Sequence, residues 1–215
     1  MIEKLNLIPF FFLLRRECHR FMKVLVQTII TPLVSASLYL LIFGVSLGAQ
    51  MQEVNESRYL AFLIPGLMMM GLMNNAFQNS SSSIVSSKFT GDLEDLAVVP
   101  LSREHIIWAM SLASVVRGVL VAAITLIAGE IFYYLQFKEF LPIEHPIWMM
   151  YFLVLGGLVF GQLGLIVAFW AKTFDQLSAI GAFLILPLTY LGGVFLSIEH
   201  LHPFWQGVSK LNPLL

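Results

Sequence analysis

The sequence predicts an all-α, polytopic membrane protein, and three observations lead to that fold class. Of the 215 residues, 58% are hydrophobic and only 12% are charged, and the mean hydropathy is +0.84. A soluble domain carries about twice that charged fraction. The apolar residues occur in runs of about 20, the length of a helix that crosses the hydrocarbon core. A membrane barrel would instead show alternating segments of about ten residues.

The composition also limits the functional classes. The net charge of -1 gives no indication of nucleic-acid binding. Cys18 is the single cysteine, so an intrachain disulfide is excluded. The apolar stretch 5–14 precedes its positive charges, which is the reverse of the order in a cleavable signal peptide.

Residues 1–23 are predicted to form an amphipathic helix in the membrane interface. Their apolar part is too short to span. A helix beginning at Pro9 would place Arg16, Arg20, Lys23 and Gln27 on one face. A basic face combined with aromatic residues is typical of interfacial helices. The alternative is a positive flank that only sets the topology, and the two interpretations are compatible.

Five membrane spans are predicted after this helix, the first of them containing Pro32. They are 24–47, 59–82, 106–132, 147–171 and 176–198. Residues 199–215 are predicted as an outer re-entrant segment, where Phe204 and Trp205 suit the membrane interface. Gly157 and Gly161 have the four-residue spacing of closely packed membrane helices, although such spacings are common by chance.

The distribution of Lys and Arg predicts the orientation. One side would hold Lys4, Arg15, Arg16, Arg20, Lys23, Lys88, Arg103 and Lys172, and the other Arg58, Lys138 and Lys210. Because the cytoplasmic side carries the excess of basic residues, the N-terminus is predicted to be cytoplasmic.

The segment between the second and third spans is predicted to form a short helix. Leu93 and Leu96 would share one side with Asp92 on the other, and Pro100 would limit the helix. Two interpretations remain open here: a solvated surface helix, or a surface that another protein contacts. The acidic residues lack the spacing of a calcium loop.

Polar residues at membrane depth are candidates for a translocation path. These are Asn74, Asn75 and Gln78 in the second span and Arg117 in the third. Such side chains usually face protein or a wet cavity. The alternatives are interhelical hydrogen bonds for the amides and snorkelling to the interface for Arg117. For Arg117 a structural or gating role is favoured over substrate binding.

Several short motifs resemble one family in order along the chain. They are FLIPG at 62–66, KF at 88–89, LEDL at 93–96 with Pro100, AKTFD at 171–175, PLTYLGGVF at 187–195, PFWQG at 203–207 and LNP at 211–213. Together they resemble the type-2 ABC exporter permeases of bacterial inner membranes, near the drug, lipo-oligosaccharide and polysaccharide exporters.

The resemblance implies a function and two groups of site residues. It implies a permease homodimer, surrounded by lipid, that works with two copies of a separate ABC ATPase. ATP and Mg would bind to that ATPase and no cofactor to this chain. The residues implied to contact the ATPase are Lys88, Phe89, Leu93, Glu94, Asp95, Leu96 and Pro100. Those implied at an outer gate are Pro187, Gly192, Gly193, Phe204 and Trp205. The family has six spans, so a further span is expected beyond Leu215.

Two other functions are weighed against an exporter subunit. An ion-coupled secondary transporter should show intramembrane acids or internal repeats, and no span has a central Asp or Glu. An intramembrane enzyme should show a His-Glu-x-x-His or similar motif, which the chain lacks, as it lacks a phosphate loop. A non-transporting membrane scaffold stays open. Residues 199–202 (EHLH) are interpreted as interfacial rather than metal-binding.

Overall fold

The computed structural model describes residues 7–47, 56–93, 101–195, 202–210 and 212. These residues form helices joined by turns, with no strand among them, which confirms the all-α prediction. The helices are α1 (Leu7–Met22), α2 (Leu25–Tyr39, continued as a π-helix over Leu40–Leu47), α3 (Glu56–Thr90), α4 (Arg103–Phe137), α5 (Pro146–Trp170), α6 (Phe174–Leu191) and α7 (Pro203–Ser209).

Five helices in the described part of the chain are long and apolar enough to cross a membrane, as predicted. They are Leu25–Gly44, Tyr59–Thr90, Arg103–Phe137, Pro146–Trp170 and Phe174–Leu191. α3 lies at the centre and packs extensively against α4 and α5. Its side chains Leu63, Leu72 and Phe77 belong to the buried core. α2 and α6 are the least buried of the five.

The predicted span 59–82 corresponds to a helix that continues to Thr90. The predicted boundary rests on the change from apolar to polar residues over Gln78 to Ser83. In the folded chain Ser80, Ser81 and Ser83 are buried against other helices, and the hydroxyls of Ser80 and Ser81 donate to carbonyls of their own helix. Serine hydroxyls that donate to carbonyls of their own helix have a hydrogen-bond partner and leave the helix intact.

The predicted span 176–198 corresponds to a helix that ends at Leu191. Gly192 follows as the C-cap, and Gly193 has φ = 76°, a left-handed conformation that favours glycine. The chain then turns back, so that Val194 and Phe195 are buried in the core. Gly66 allows this return, because a Cβ there would lie 2.8 Å from the Val194 carbonyl oxygen.

Candidate functional site

The lengths of α3 and α4 place their polar residues at one depth. Each helix has 35 residues, which is about 52 Å, well beyond the roughly 30 Å of hydrocarbon. On α4, Phe137 follows Arg117 by twenty residues, about 30 Å. On α3, Asn79 follows Tyr59 at the same spacing. If the aromatic ends lie at one interface, Arg117 and Asn79 lie near the opposite one.

A buried polar network ties α1 to α3 at that depth. The Glu17 carboxylate is 1% exposed and accepts hydrogen bonds from Ser83 Oγ (2.6 Å) and Arg20 Nε (3.1 Å). The Arg20 guanidinium also donates to Ser82 Oγ and to the carbonyl and side-chain oxygens of Asn79. An ion pair with this many hydrogen bonds is tolerated in a low-dielectric position.

The same network reaches α4 through Asn79, whose amide donates to Ser114 Oγ at 3.3 Å. Ser114 in turn donates to the carbonyl of Met110 one turn earlier. Three helices are thus joined by side chains rather than by loops. Sequence reasoning did not single out Glu17; the available signal was a single acid placed three residues before an arginine in an otherwise basic stretch of the helix.

Small residues form a tight seam between α5 and its neighbours. Ser80 Oγ donates to the Gly161 carbonyl at 2.7 Å. A Cβ at Gly161 would lie 3.1 Å from Ser114 Cβ, and one at Gly157 would lie 3.1 Å from Val115 Cγ2. The spacing of Gly157 and Gly161 therefore does mark a packed face, as small residues let helix backbones approach.

Two adjoining cavities, of about 290 and 570 Å³, lie between α1, α2, α3, α4 and α6. They share five lining residues: Gln27, Asn74, Gln78, Arg117 and Leu186. Asn75 lines the smaller cavity, and Arg20, Ser81 and Ser82 line the larger. The four polar residues predicted for a path, Asn74, Asn75, Gln78 and Arg117, therefore all line one or both of these adjoining cavities. Gln27 is an additional lining residue that the sequence prediction had placed only on a polar helix face.

The side chains of the two asparagines have hydrogen-bond partners, whereas Arg117 Nε does not have one among the described residues. Asn74 Nδ2 donates to the Met70 carbonyl at 3.1 Å, and Asn75 Nδ2 donates to that of Gly71 at 3.0 Å. Both bonds lie within α3. Within the described part of the chain, Arg117 Nε is buried and has no hydrogen-bond partner. Glu130 on the same helix accepts instead from the Leu141 backbone N–H at 3.2 Å.

The end of α3 is fastened to the end of α5 by Lys88. Its ammonium donates to the carbonyls of Ala168 (2.7 Å), Phe169 (2.8 Å) and Ala171 (3.0 Å). Carbonyls at a helix C-terminus lack partners within the helix, and a cation there also complements the helix dipole. Lys88 thus has an intramolecular role at this position.

The other residues predicted at the ATPase contact are only partly described. Phe89 is 60% exposed, and its ring stacks on that of Phe174 with centroids 5.4 Å apart. Leu93 packs against the core, while Asp92 is exposed. The remaining three side chains of the acidic motif and the proline lie outside the described residues: Glu94, Asp95, Leu96 and Pro100.

The opposite end of the molecule carries the residues predicted at an outer gate. Pro187 lies within α6, and Gly192 and Gly193 end that helix. Tyr59 donates its hydroxyl to the Phe195 carbonyl at 3.2 Å, which holds the returning chain against α3. Rings of Tyr39, Phe43 and Tyr190 surround Phe195.

Phe204 and Trp205 lie on α7, and both are exposed. Asn212 follows α7, and its side-chain amide donates to the Leu188 carbonyl of α6 at 2.7 Å. Among the described residues no group of three His, Cys, Asp or Glu side chains is placed to hold a metal. The sequence EHLH at 199–202 is described only from its last histidine onward.

Five apolar helices long enough to cross a membrane, four of which line polar cavities together with α1, define a polytopic membrane protein with internal polar space. Comparison with known sequences gives the family. Residues 9–215 match the model of the ABC-2 type transporter, and the chain belongs to this family. The predicted identity as a type-2 ABC permease is thereby confirmed.

Known relatives agree with this assignment. The chain is 39% identical over 202 residues to the inner membrane transport permease YadH of Escherichia coli strain K12, covering 93% of this chain and 76% of YadH. YadH of Shigella flexneri shows the same identity and coverage. Nodulation protein J of Neorhizobium galegae is 24% identical over 206 residues, covering 93% of this chain and 74% of that protein. No solved structure matches. The chain is a transport permease subunit, a multi-pass protein of the inner membrane.

Proposed function

We propose that this permease forms the translocation path of an exporter driven by a separate ABC ATPase. The observation that carries the proposal is the pair of 35-residue helices, α3 and α4. At about 52 Å each they exceed the bilayer by roughly 20 Å. The segment 91–102 connects these two helices, whose ends at Thr90 and Arg103 would extend beyond the hydrocarbon on the side predicted to be cytoplasmic.

A surface can transmit force into the membrane only if the helices that carry it are held rigidly. Lys88 holds the end of α3 through its three hydrogen bonds to the end of α5. Extensive packing of α3 against α4 and α5 continues that rigidity toward the cavity. Closure of an ATPase pair against the segment would therefore move α3 and α4 together rather than bend a loop.

The proposed assembly has two permease copies and two ATPase copies. The low burial of α2 and α6 within one chain supports a partner on that side, because the cavity is walled there by these two helices. The cargo is proposed to be amphipathic, such as a drug, a lipid-linked glycan or a polysaccharide carried on a lipid. ATP and Mg are proposed to bind only to the ATPase.

The decisive experiment changes Glu94 in the segment between α3 and α4. Glu94→Lys is expected to weaken copurification of the neighbouring ATPase and to uncouple transport, while the permease still inserts. Truncating one partner of a desolvated charge pair at an interface costs about 2–5 kcal/mol. Asp92→Ala, at an exposed position, is the matched control and should copurify normally. Normal transport and copurification in Glu94→Lys would contradict the ATPase contact.

A further inference from the structure

We propose that the cavity around Arg117 binds the anionic head group, a phosphate or a carboxylate, of a membrane amphiphile. The inference rests on the proposed export function only in treating that amphiphile as cargo. Binding itself concerns this chain alone. The carrying observation is a cation with no partner in the described structure, in a cavity that no described carboxylate lines.

The charges around the cavity do not balance. Its charged lining residues are Arg20 and Arg117, and neither Asp nor Glu lines either part. Arg20 is compensated by Glu17 at 3.1 Å, and Glu17 is itself almost fully buried and already accepts hydrogen bonds from Ser83 and Arg20. Arg117 has no such carboxylate. An uncompensated cation at membrane depth is costly, so an anion that enters this cavity gains both attraction and hydrogen bonds.

Additional donors stand beside Arg117. Gln27 and Gln78 line both parts of the cavity, and their side-chain amides make no hydrogen bond within the described residues. Each amide offers two N–H donors. A phosphate or carboxylate bound at the guanidinium would thus find neutral donors at its remaining oxygens. A cation would meet repulsion from Arg117, which no described carboxylate compensates.

The larger cavity is also lined by apolar side chains that suit a hydrocarbon tail. α6 contributes Leu177, Ala182, Ile185 and Leu186, and α1 contributes Phe21. Arg117 lies about 30 Å along α4 from Phe137, the depth of the opposite interface. With the predicted orientation, that interface is the inner leaflet. Head group and tail would therefore lie as they do in the leaflet from which an exporter collects its cargo.

The test uses the full chain in an uncharged maltoside detergent and measures thermal unfolding. The probe is dioctanoyl phosphatidylglycerol, and dioctanoyl phosphatidylcholine is its zwitterionic comparison. The anionic lipid is expected to raise the melting temperature saturably, and the zwitterionic lipid is not. Arg117→Gln should raise the apparent Kd for the anionic lipid by about tenfold or more, the loss of one charge-assisted contact.

Two further variants distinguish the loss of a specific binding site from a general effect of net charge and from misfolding. Arg15→Gln removes an exposed cation outside the cavity and should respond as the wild type does. Arg117→Lys keeps the charge and should retain a saturable response. Without anionic lipid, Arg117→Gln should melt no lower than the wild type, because an uncompensated cation is removed. Equal responses of Arg117→Gln and wild type would overturn the proposal, as would a loss of stability in Arg117→Gln without lipid.

A second measurement distinguishes cargo from a resident lipid. In the complex with its ATPase, an anionic cargo should stimulate ATP hydrolysis by the wild type and not by Arg117→Gln. A resident lipid should stabilise the complex and leave hydrolysis unchanged. Either result supports anion binding. If no ATPase associates, the exporter proposal fails, while the lipid titration of the permease alone still decides the binding site.

Discussion

At the residue scale, Glu17 controls how the N-terminal helix is attached. Its carboxylate is the acceptor for both Ser83 and Arg20, and Arg20 then reaches Asn79 and Ser82. Helix α1 would otherwise be held mainly by apolar side chains such as Leu13 and Phe21. Because the network has defined partners, it fixes the position of α1 more specifically than apolar packing can.

Glu17→Gln should therefore lower the stability of the permease. The neutral amide is a weaker acceptor and leaves Arg20 without its counter-charge, so the expected loss is about 1–3 kcal/mol. Arg16→Gln is the control, because the Arg16 side chain is half exposed and its single contact with Glu17 is long, at 3.5 Å. The melting temperature in detergent measures both. Equal melting of Glu17→Gln and wild type would contradict a stabilising network.

The reactivity of Cys18 should depend on pH in a predictable direction. Burial raises the pKa of the Cys18 thiol, and the neighbouring Glu17 carboxylate raises that pKa further. A raised pKa means less thiolate at neutral pH, and only the thiolate reacts rapidly. A maleimide should thus label Cys18 more slowly than an exposed cysteine, by roughly tenfold for each unit between their pKa values.

The comparison uses Arg15→Cys in a Cys18→Ser background, since position 15 is exposed on the same helix. The difference in rate should narrow as the pH rises through the pKa of Cys18. Equal rates at neutral pH would show that Cys18 is as accessible and as acidic as a surface thiol.

At the element scale, α3 and α5 are held together by close backbone contact. A Cβ at Gly164 would lie 2.5 Å from the Phe77 carbonyl oxygen and would also clash with Ser80 Oγ. Neither obstacle can move freely, because Phe77 lies inside a rigid helix and Ser80 is bonded to Gly161. The glycine-rich face of α5 is therefore required for the approach of the two helices.

Gly164→Ala should destabilise the permease by about 1–3 kcal/mol, the usual effect of overpacking. Gly156→Ala is the matched control on the same helix, because its Cβ would meet the flexible end of Met69 at 3.1 Å. Folded yield and melting temperature in detergent give the measurement. A Gly164→Ala protein as stable as Gly156→Ala would mean that α3 and α5 are less closely packed than described.

At the scale of the whole molecule, the unequal burial of the helices is the main feature. α3 and α4 form the interior of one chain, whereas α2 and α6 keep most of their surface for lipid or for a second copy. The cavity lies between these two groups. In the proposed exporter, motion of the packed unit of α3, α4 and α5 relative to α2 and α6 would change the path.

Single-cysteine labelling tests the orientation of the molecule. A membrane-impermeant reagent applied to intact spheroplasts should label cysteines at Lys138 and Glu53, and should label one at Asp92 only after lysis. Lys138 is exposed just after α4 and Asp92 just after α3, whereas Glu53 is outside the described residues. Labelling at position 92 in intact spheroplasts would reverse the orientation, and with it the side proposed for the ATPase.

The sequence by itself determined the fold class, the five spans and the family, because each depends on local composition or on short motifs. A run of about 20 apolar residues forms a membrane-spanning helix, because a helix satisfies all of its backbone hydrogen bonds within the segment. The polar residues that line the cavities were also recognisable from the sequence, since polar side chains are rare at membrane depth. Finding these polar residues in the sequence requires no knowledge of the neighbouring helices.

Only the tertiary structure decided which partner each polar group has. Glu17 and Ser83 are 66 residues apart in the chain, and Lys88 and Ala168 are 80 apart. Helical periodicity predicts which residues share a face of one helix, but not which face of another helix meets it. The resemblance implies that Lys88 contacts the ATPase, whereas its bonds to the end of α5 depend on packing between helices that no pattern within one helix shows. Arg117, by contrast, was found without a described partner because packing brings no carboxylate to its side of the cavity.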